Sequence, residues 1–306
     1  MRLEYAFFNG AFVPMESATI GVKSKAFNYG LGALEGIRGY WNERQQQLYL
    51  FRLEDHMVRL LESCKILSME INYSVKELCE ITVELMKINN VKRDIYVRPL
   101  VYVKEESLRP TLFQTKNGVT IFIEELIEFP EAFQTSIRTI VSSWLRIQNN
   151  TIPPVIKSTA GYLNSALAYT EARMHGADEA ILLTRDGMVS EASTSNIFLV
   201  KDGVLYTPPI ADNILLGITR DTIMKIAERL NIEVRQEEIP RVNLYTADEV
   251  FLSGTASELL PVSEIDKRKV GTGEVGPVTE ELLRLYREIV RGEVVIDSGY
   301  LTAVYE

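Results

Sequence analysis

The chain has 306 residues, enough for about two domains of roughly 150 residues each, and its 46% hydrophobic and 25% charged residues exclude a disordered or fibrous protein. Thirty-three Lys and Arg against 42 Asp and Glu leave a net charge of -9, which repels nucleic-acid backbones and argues against such partners. Two cysteines, Cys64 and Cys79, and two histidines, His56 and His175, leave no disulfide framework and no histidine-rich metal centre, so a cytoplasmic protein without a bound metal is expected.

Asn9-Gly10 between the apolar runs Phe7-Phe8 and Ala11-Phe12-Val13 predicts a tight hairpin, because a type I′ turn needs positive φ twice. A helix follows over 53–67, where Leu53, Met57, Leu60, Leu61, Cys64 and Leu67 share one face. A second helix is expected at Val75 to Ile88, then strands at 94–103 and 118–127, which together make an α+β first half with an antiparallel sheet. Glu128-Phe129-Pro130-Glu131 breaks the pattern and sets the domain boundary: a small domain at 1–129, a loop at 130–133 and a larger β-rich domain at 134–306. In that second half a strand is expected from Ile137 to Ser143 and a helix from Lys157 to His175. Asp186-Gly187 and Asp202-Gly203 turn a meander that ends near Thr207. A helix at 219–230, a strand at 249–252 and a closing helix at 279–291 complete the chain. No apolar run reaches the roughly 18 residues a membrane helix needs.

Gly271-Thr272-Gly273-Glu274-Val275-Gly276 matches a dinucleotide fingerprint in letters only, since one helix and no βαβ unit follows it; a connecting turn is the reading. His56 lies off the apolar stripe of its helix and reads as a surface or supporting residue. Lys157 differs from the solvated lysines. It follows Ile152-Pro153-Pro154-Val155-Ile156, a rigid apolar approach, and burial favours the neutral amine that a Schiff-base lysine requires. Gly217-Ile218-Thr219-Arg220 opens a helix whose free N–H groups suit a phosphate, and Ser253-Gly254-Thr255-Ala256 follows a strand as a second candidate anion nest. A buried lysine beside a phosphate cup points to pyridoxal 5'-phosphate.

Lys157 with Tyr162-Leu163-Asn164-Ser165, Ser190-Glu191-Ala192-Ser193 with Asn196-Ile197-Phe198, and the two phosphate-cup motifs resemble, in order and spacing, the class IV pyridoxal-phosphate aminotransferases. The resemblance spans nearly the whole chain. Leu34-Glu35-Gly36-Ile37-Arg38 and Tyr96-Val97-Arg98-Pro99 are most similar to the branched-chain amino acid aminotransferases of that class. It implies an α/β (α+β) two-domain fold of fold type IV, with a small α/β domain and a larger β-rich one. It also implies ping-pong transamination between L-leucine, L-isoleucine or L-valine and 2-oxoglutarate, in a homodimer or a higher homo-oligomer. D-amino acid or (R)-amine aminotransferases and aminodeoxychorismate lyase share the lysine and the cup and remain the rival readings.

By the same resemblance Lys157 holds the cofactor and moves the proton, Glu191 meets the pyridine nitrogen and Tyr162 the phenolic oxygen. Leu215, with Leu216 as competitor, packs on the ring, and Arg59, Ile218, Thr219 and Thr255 take the phosphate. Periodicity alone makes Arg59 solvated, about 140° from its helix's apolar direction. On the substrate side Tyr96 and the N–H groups of Thr255 and Ala256 hold the α-carboxylate, and Arg98 the distal carboxylate of glutamate. Tyr29, Leu34, Gly36 and Arg38 shape the side-chain pocket. Leu34 departs from the aromatic residue that many branched-chain enzymes carry there, and so bears on substrate scope.

Overall fold

The computed structural model describes residues 4–125 and 136–305, which fall into two compact units. The first unit contains residues 4–125, 156–160 and 288–305, and the second residues 136–155 and 161–287. Two stretches of the second half therefore belong to the first unit, against the expected split at a single point. The physical reason is backbone pairing. Leu34 donates to the Lys157 carbonyl at 2.9 Å, Thr159 N–H to Gly32 O at 2.9 Å, and the C-terminal Leu301–Ala303 pairs with Tyr49–Phe51. The expected loop at 130–133 lies outside the described residues.

The first unit runs β1 (Tyr5–Phe8), β2 (Ala11–Pro14), α1 (Lys25–Tyr29), β3 (Gly32–Leu34), β4 (Ile37–Asn42), β5 (Gln47–Phe51), α2 (Leu53–Ile66), α3 (Val75–Ile88), β6 (Ile95–Val103) and β7 (Asn117–Glu125). The expected hairpin is β1–β2, with Asn9 at φ 50° and Gly10 at φ 103°. α2 buries Leu53, Met57, Leu60 and Cys64 against Leu48, Leu50 and Val97, as its stripe requires. α3 starts on a capping box in which Ser74 and Glu77 satisfy each other's orphan N–H groups. Strand β6 sits centrally, antiparallel to β3, β4 and β7. Its two-residue period turns Ile95 and Val97 into the core and leaves Tyr96 and Arg98 together on the other face.

The second unit contributes β8 (Ile137–Leu145), α4 (Tyr162–Met174), β9 (Glu179–Leu183), β10 (Val189–Ala192), β11 (Asn196–Lys201), β12 (Val204–Thr207), α5 (Ile218–Arg229), β13 (Val234–Gln236), β14 (Glu249–Gly254), β15 (Glu258–Ile265), β16 (Arg268–Lys269) and most of α6 (Pro277–Val290), whose residues from 288 on count with the first unit; β17 (Leu301–Ala303) then joins the first sheet. Its mixed sheet runs β10-β9-β8-β15-β14-β11-β12-β13, with parallel pairs at β8–β9, β8–β15 and β12–β13. Ile181, Ile197, Leu199, Leu252 and Val262 form the centre of its core. The expected helix at Lys157 begins only at Tyr162, because the backbone before it is engaged with β3. Gly271 to Gly276 form a turn ahead of α6, as the sequence context indicates.

Candidate active site

Lys157 belongs to the first unit and is half-buried in an irregular segment. Its carbonyl is fixed by Leu34 N–H, the next residue bridges to Ala33, and Thr159 Oγ1 donates to Gly32 O at 3.2 Å. The lysine thus stands on a backbone segment tied to β3 at several points.

Next to Leu34, Glu35 is fully buried and receives Arg59 Nε at 2.6 Å, Arg59 Nη2 at 2.8 Å and His56 Nδ1 at 2.7 Å. Burial alone would raise its carboxyl, but the Arg59 charge and then His56 hold it well below the usual carboxylate range. An ionised carboxylate only accepts, so Nδ1 of His56 carries the proton. Burial pushes the imidazole's own value down, ahead of the opposing pull of Glu35, and the charge of Lys157 lowers it further. His56 is 2% exposed and bonded to Glu35, so of its two readings, surface or supporting, the structure keeps the supporting one. Arg59 is likewise half-buried and paired rather than solvated. A buried carboxylate on the neighbouring sheet draws both side chains inward, an attraction invisible to helical periodicity.

Tyr96 stands opposite Arg38 in the β4–β6 register. Arg98 Nη2 donates to Tyr96 Oη at 2.9 Å, and its guanidinium lies 5.2 Å from the Tyr96 ring centre. Arg98 Nε is buried without a hydrogen-bond partner among the described residues, a donor suited to an incoming carboxylate. Arg38 stacks over Tyr40 at 4.9 Å and lies 3.9 Å from Asp94. Tyr29 Oη donates to Leu108 O at 2.7 Å. Leu34 is only 5% exposed and stands opposite Leu100 in the β3–β6 register.

Gly36 makes this arrangement possible, since a Cβ there would overlap the Tyr96 hydroxyl. The obstructed atom is the far end of a side chain, so Gly36→Ala should fold while pushing Tyr96 off Arg98. Losing a hydrogen bond to a charged group costs about 1.5–3 kcal/mol. The expected result is a loss of about ten- to a hundredfold in kcat/KM for amino acids, mostly in KM. Unchanged steady-state kinetics would remove Tyr96 from substrate binding.

In the second unit Glu191 is 4% exposed. Arg146 Nη2 pairs with its Oε1 at 2.6 Å, while Asn196 Nδ2 at 2.8 Å and Leu215 N–H at 3.1 Å donate to its Oε2. Asn196 also donates to Leu215 O at 2.9 Å, so both ends of the Leu215 residue are held. Leu216, the competing residue, is 45% exposed. Gly217 lies so close to Asn196 Oδ1 that a Cβ would not fit. α5 begins directly after it, with Ile218 and Thr219 buried in the first turn. Thr255 and Ala256 form the half-buried turn between β14 and β15, beside Ser253, whose buried Oγ has no partner among the described residues. Tyr162 is the half-buried first residue of α4.

Glu35 and Asn196 stand inside the quoted motifs without a role that local pattern assigns, and Arg146 stands in none of them. A charged residue amid apolar strand residues was the available signal for Glu35. Arg146 follows β8 with no pattern to mark it.

Asp212 occupies the loop before Leu215, its carbonyl accepting from Ser190 Oγ and its Oδ2 buried without a partner among the described residues. Burial, then Glu238, pushes its carboxyl up to about 6. The folded state thus holds the proton more tightly than the unfolded chain. The stability this contributes is complete below the ordinary aspartate value and is lost as pH rises through about 6. Asp212→Asn should raise Tm by a few degrees at pH 8 and leave it nearly unchanged at pH 4. Equal shifts at both pH values would exclude the ionisation.

Comparison with known proteins adds the following. The family described as amino-transferase class IV matches residues 32–265. A probable branched-chain-amino-acid aminotransferase of Aquifex aeolicus (strain VF5) is 45% identical, over 99% of this chain and 98% of its own length. The branched-chain-amino-acid aminotransferase of Escherichia coli (strain K12) is 40% identical over 99% and 98%. Among solved structures, the branched-chain aminotransferase of Thermoproteus uzoniensis with norvaline superimposes with a TM-score of 0.93 at 41% identity, covering 98% of this chain and 99% of that one. A T.th. branched-chain amino acid aminotransferase complexed with N-(5'-phosphopyridoxyl)-L-glutamate gives 0.93 at 40% identity with full coverage of both, 100% and 100%.

Proposed function

The chain belongs to the class IV aminotransferases, and from that premise we propose that it transfers amino groups between branched-chain L-amino acids and 2-oxoglutarate with pyridoxal 5'-phosphate. The observation that carries the reading is the Tyr96–Arg98 pair over Gly36: a hydroxyl and a guanidinium on one strand face, with Arg98 Nε still open to a carboxylate. Similarity to an enzyme solved with norvaline and to one solved with a phosphopyridoxyl-glutamate supports an aliphatic and an acidic substrate in turn.

The residues present suit the cofactor's chemistry. The first-turn N–H groups of α5 at Ile218 and Thr219, with the hydroxyls of Thr219 and Thr255, would hold a phosphate, and Arg59 would add its charge. Ser253 Oγ supplies a further unengaged buried hydroxyl beside that turn. Glu191 would meet the pyridine nitrogen and Tyr162 the phenolic oxygen. When bound, pyridoxal phosphate supplies a carbonyl that condenses with amines and a ring that withdraws electrons. Lys157 would hold that group through Nζ and would carry a proton to and from the substrate Cα. The Glu191 carboxylate, held in place by Arg146 and Asn196, would keep a proton on the ring nitrogen. Tyr96, Arg98 and the N–H groups of Thr255 and Ala256 orient the substrate carboxylates; Tyr29, Leu34, Gly36 and Arg38 bound its side chain.

A homodimer or higher homo-oligomer is part of the proposal. It is supported by the exposed apolar residues Leu163, Leu167 and Met174 along α4, and sedimentation tests it. So is a cytoplasmic location; no helix among the described residues is long and apolar enough to cross a membrane. The activity test is turnover with 2-oxoglutarate of L-leucine, L-isoleucine, L-valine, D-alanine and (R)-1-phenylethylamine. The L-amino acids should lead. If (R)-1-phenylethylamine outran L-leucine, the branched-chain reading would fall while the aminotransferase family would stand.

A further inference from the structure

Lys25, the first residue of α1, is 0% exposed, although lysine is among the residues least often buried. Its ammonium lies 2.9 Å from Oε1 of Glu105, its only ion-pair partner among the described residues. The pair lowers the Glu105 carboxyl from its ordinary value. Glu105 belongs to the segment 105–108 that continues β6, the strand of Tyr96 and Arg98. Three further ties fasten that segment to α1. Lys25 N–H donates to Glu105 O at 3.0 Å, Ser24 and Glu106 form an antiparallel bridge, and Tyr29 Oη donates to Leu108 O at 2.7 Å. The Leu108 carbonyl is the only hydrogen-bond partner of the Tyr29 side chain among the described residues. Where Tyr29 stands thus depends on where segment 105–108 is held, and the one charged tie in that hold is buried at its lysine end.

We propose that the Lys25–Glu105 ion pair is a positioning device for substrate selection: it pins segment 105–108 to α1 and so sets Tyr29 for the substrate side chain. This rests on the reading of Tyr29 as a pocket residue. Neither member of the pair needs to touch substrate. A buried ammonium tolerates no loss of its counter-charge, so the pair acts as a unit and the loop has one preferred place.

The test uses Lys25→Met, which keeps the length and removes the charge, together with Glu105→Gln and the double variant in the holoenzyme. Hydrogen–deuterium exchange at residues 104–108, KM and kcat for L-leucine and L-valine, and the pyridoxal-phosphate dissociation constant are read for each. Lys25→Met should speed exchange at 104–108 and raise both KM values by about tenfold, the equivalent of one lost hydrogen bond, with kcat and cofactor affinity within about twofold. The double variant should match Lys25→Met, because the second change removes a partner already idle. If Glu105→Gln fails to fold, Lys25→Met alone decides. Unchanged exchange and KM in Lys25→Met overturn the proposal. So does a fall in cofactor affinity and kcat alongside KM, which marks general structural damage. A wild-type protein that does not turn over branched-chain donors overturns the functional reading instead, and the exchange result then still tests the pinning.

Discussion

Lys157→Ala is expected to reduce transamination by more than about 10⁴-fold, since in the proposed mechanism it removes both the nucleophile and the proton carrier. The change should leave the fold intact. What ties the 157–159 segment to β3 is backbone: Leu34 N–H to Lys157 O and Thr159 N–H to Gly32 O, both at 2.9 Å. Alanine keeps both bonds. The phosphate donors of the second unit also remain, so the variant should still take up pyridoxal phosphate, non-covalently and more weakly. The measurements are single-turnover transfer from L-leucine and the visible spectrum after cofactor is added. A variant showing the absorption band of a lysine-bound cofactor would show that another amine does this work.

Glu191→Gln carries the second-largest effect, on two quantities at once. On the role proposed for Glu191, removing the charge that would keep the pyridine nitrogen protonated costs about 1.5–3 kcal/mol, or roughly ten- to a hundredfold in kcat if felt fully in the transition state. The surroundings add a stability cost. Arg146 donates to one carboxylate oxygen, and Asn196 and Leu215 both donate to the other. A glutamine amide offers one acceptor and one donor, so in either orientation an N–H₂ group faces a donor. Arg146, 9% exposed at its side chain, also loses its counter-charge. Breaking a buried pair costs about 3–5 kcal/mol. Urea unfolding should therefore show a lower midpoint, and kcat at saturating cofactor should fall. A fall in stability with unchanged kcat would make Glu191 a structural partner of Arg146 and nothing more.

Much of the molecule is readable from local pattern. The Asn9-Gly10 hairpin, α2, α3, β6 and β7 follow from turn chemistry and from periods of 3.6 and 2, which act within a few residues of chain. The alternation of β6 alone places Tyr96 and Arg98 on one face. The lysine after two prolines and the glycine that opens α5 suggest their proposed chemistry in the same local way, and the four motifs in register point to the family that the family match shows. Tertiary structure decided the rest, where groups distant in the chain meet. His56 and Arg59 turn inward because Glu35, 21 and 24 residues away, is buried and needs charge and hydrogen bonds. Lys157 lies outside a helix because its backbone is engaged by Leu34, and Arg146 acquires a role only through Glu191. The residues 156–160 and the C-terminal strand belong to the first unit by the same kind of pairing. Periodicity records which face of an element is apolar. It does not record which buried charge on another element must be answered, and that requirement placed the polar half of the site.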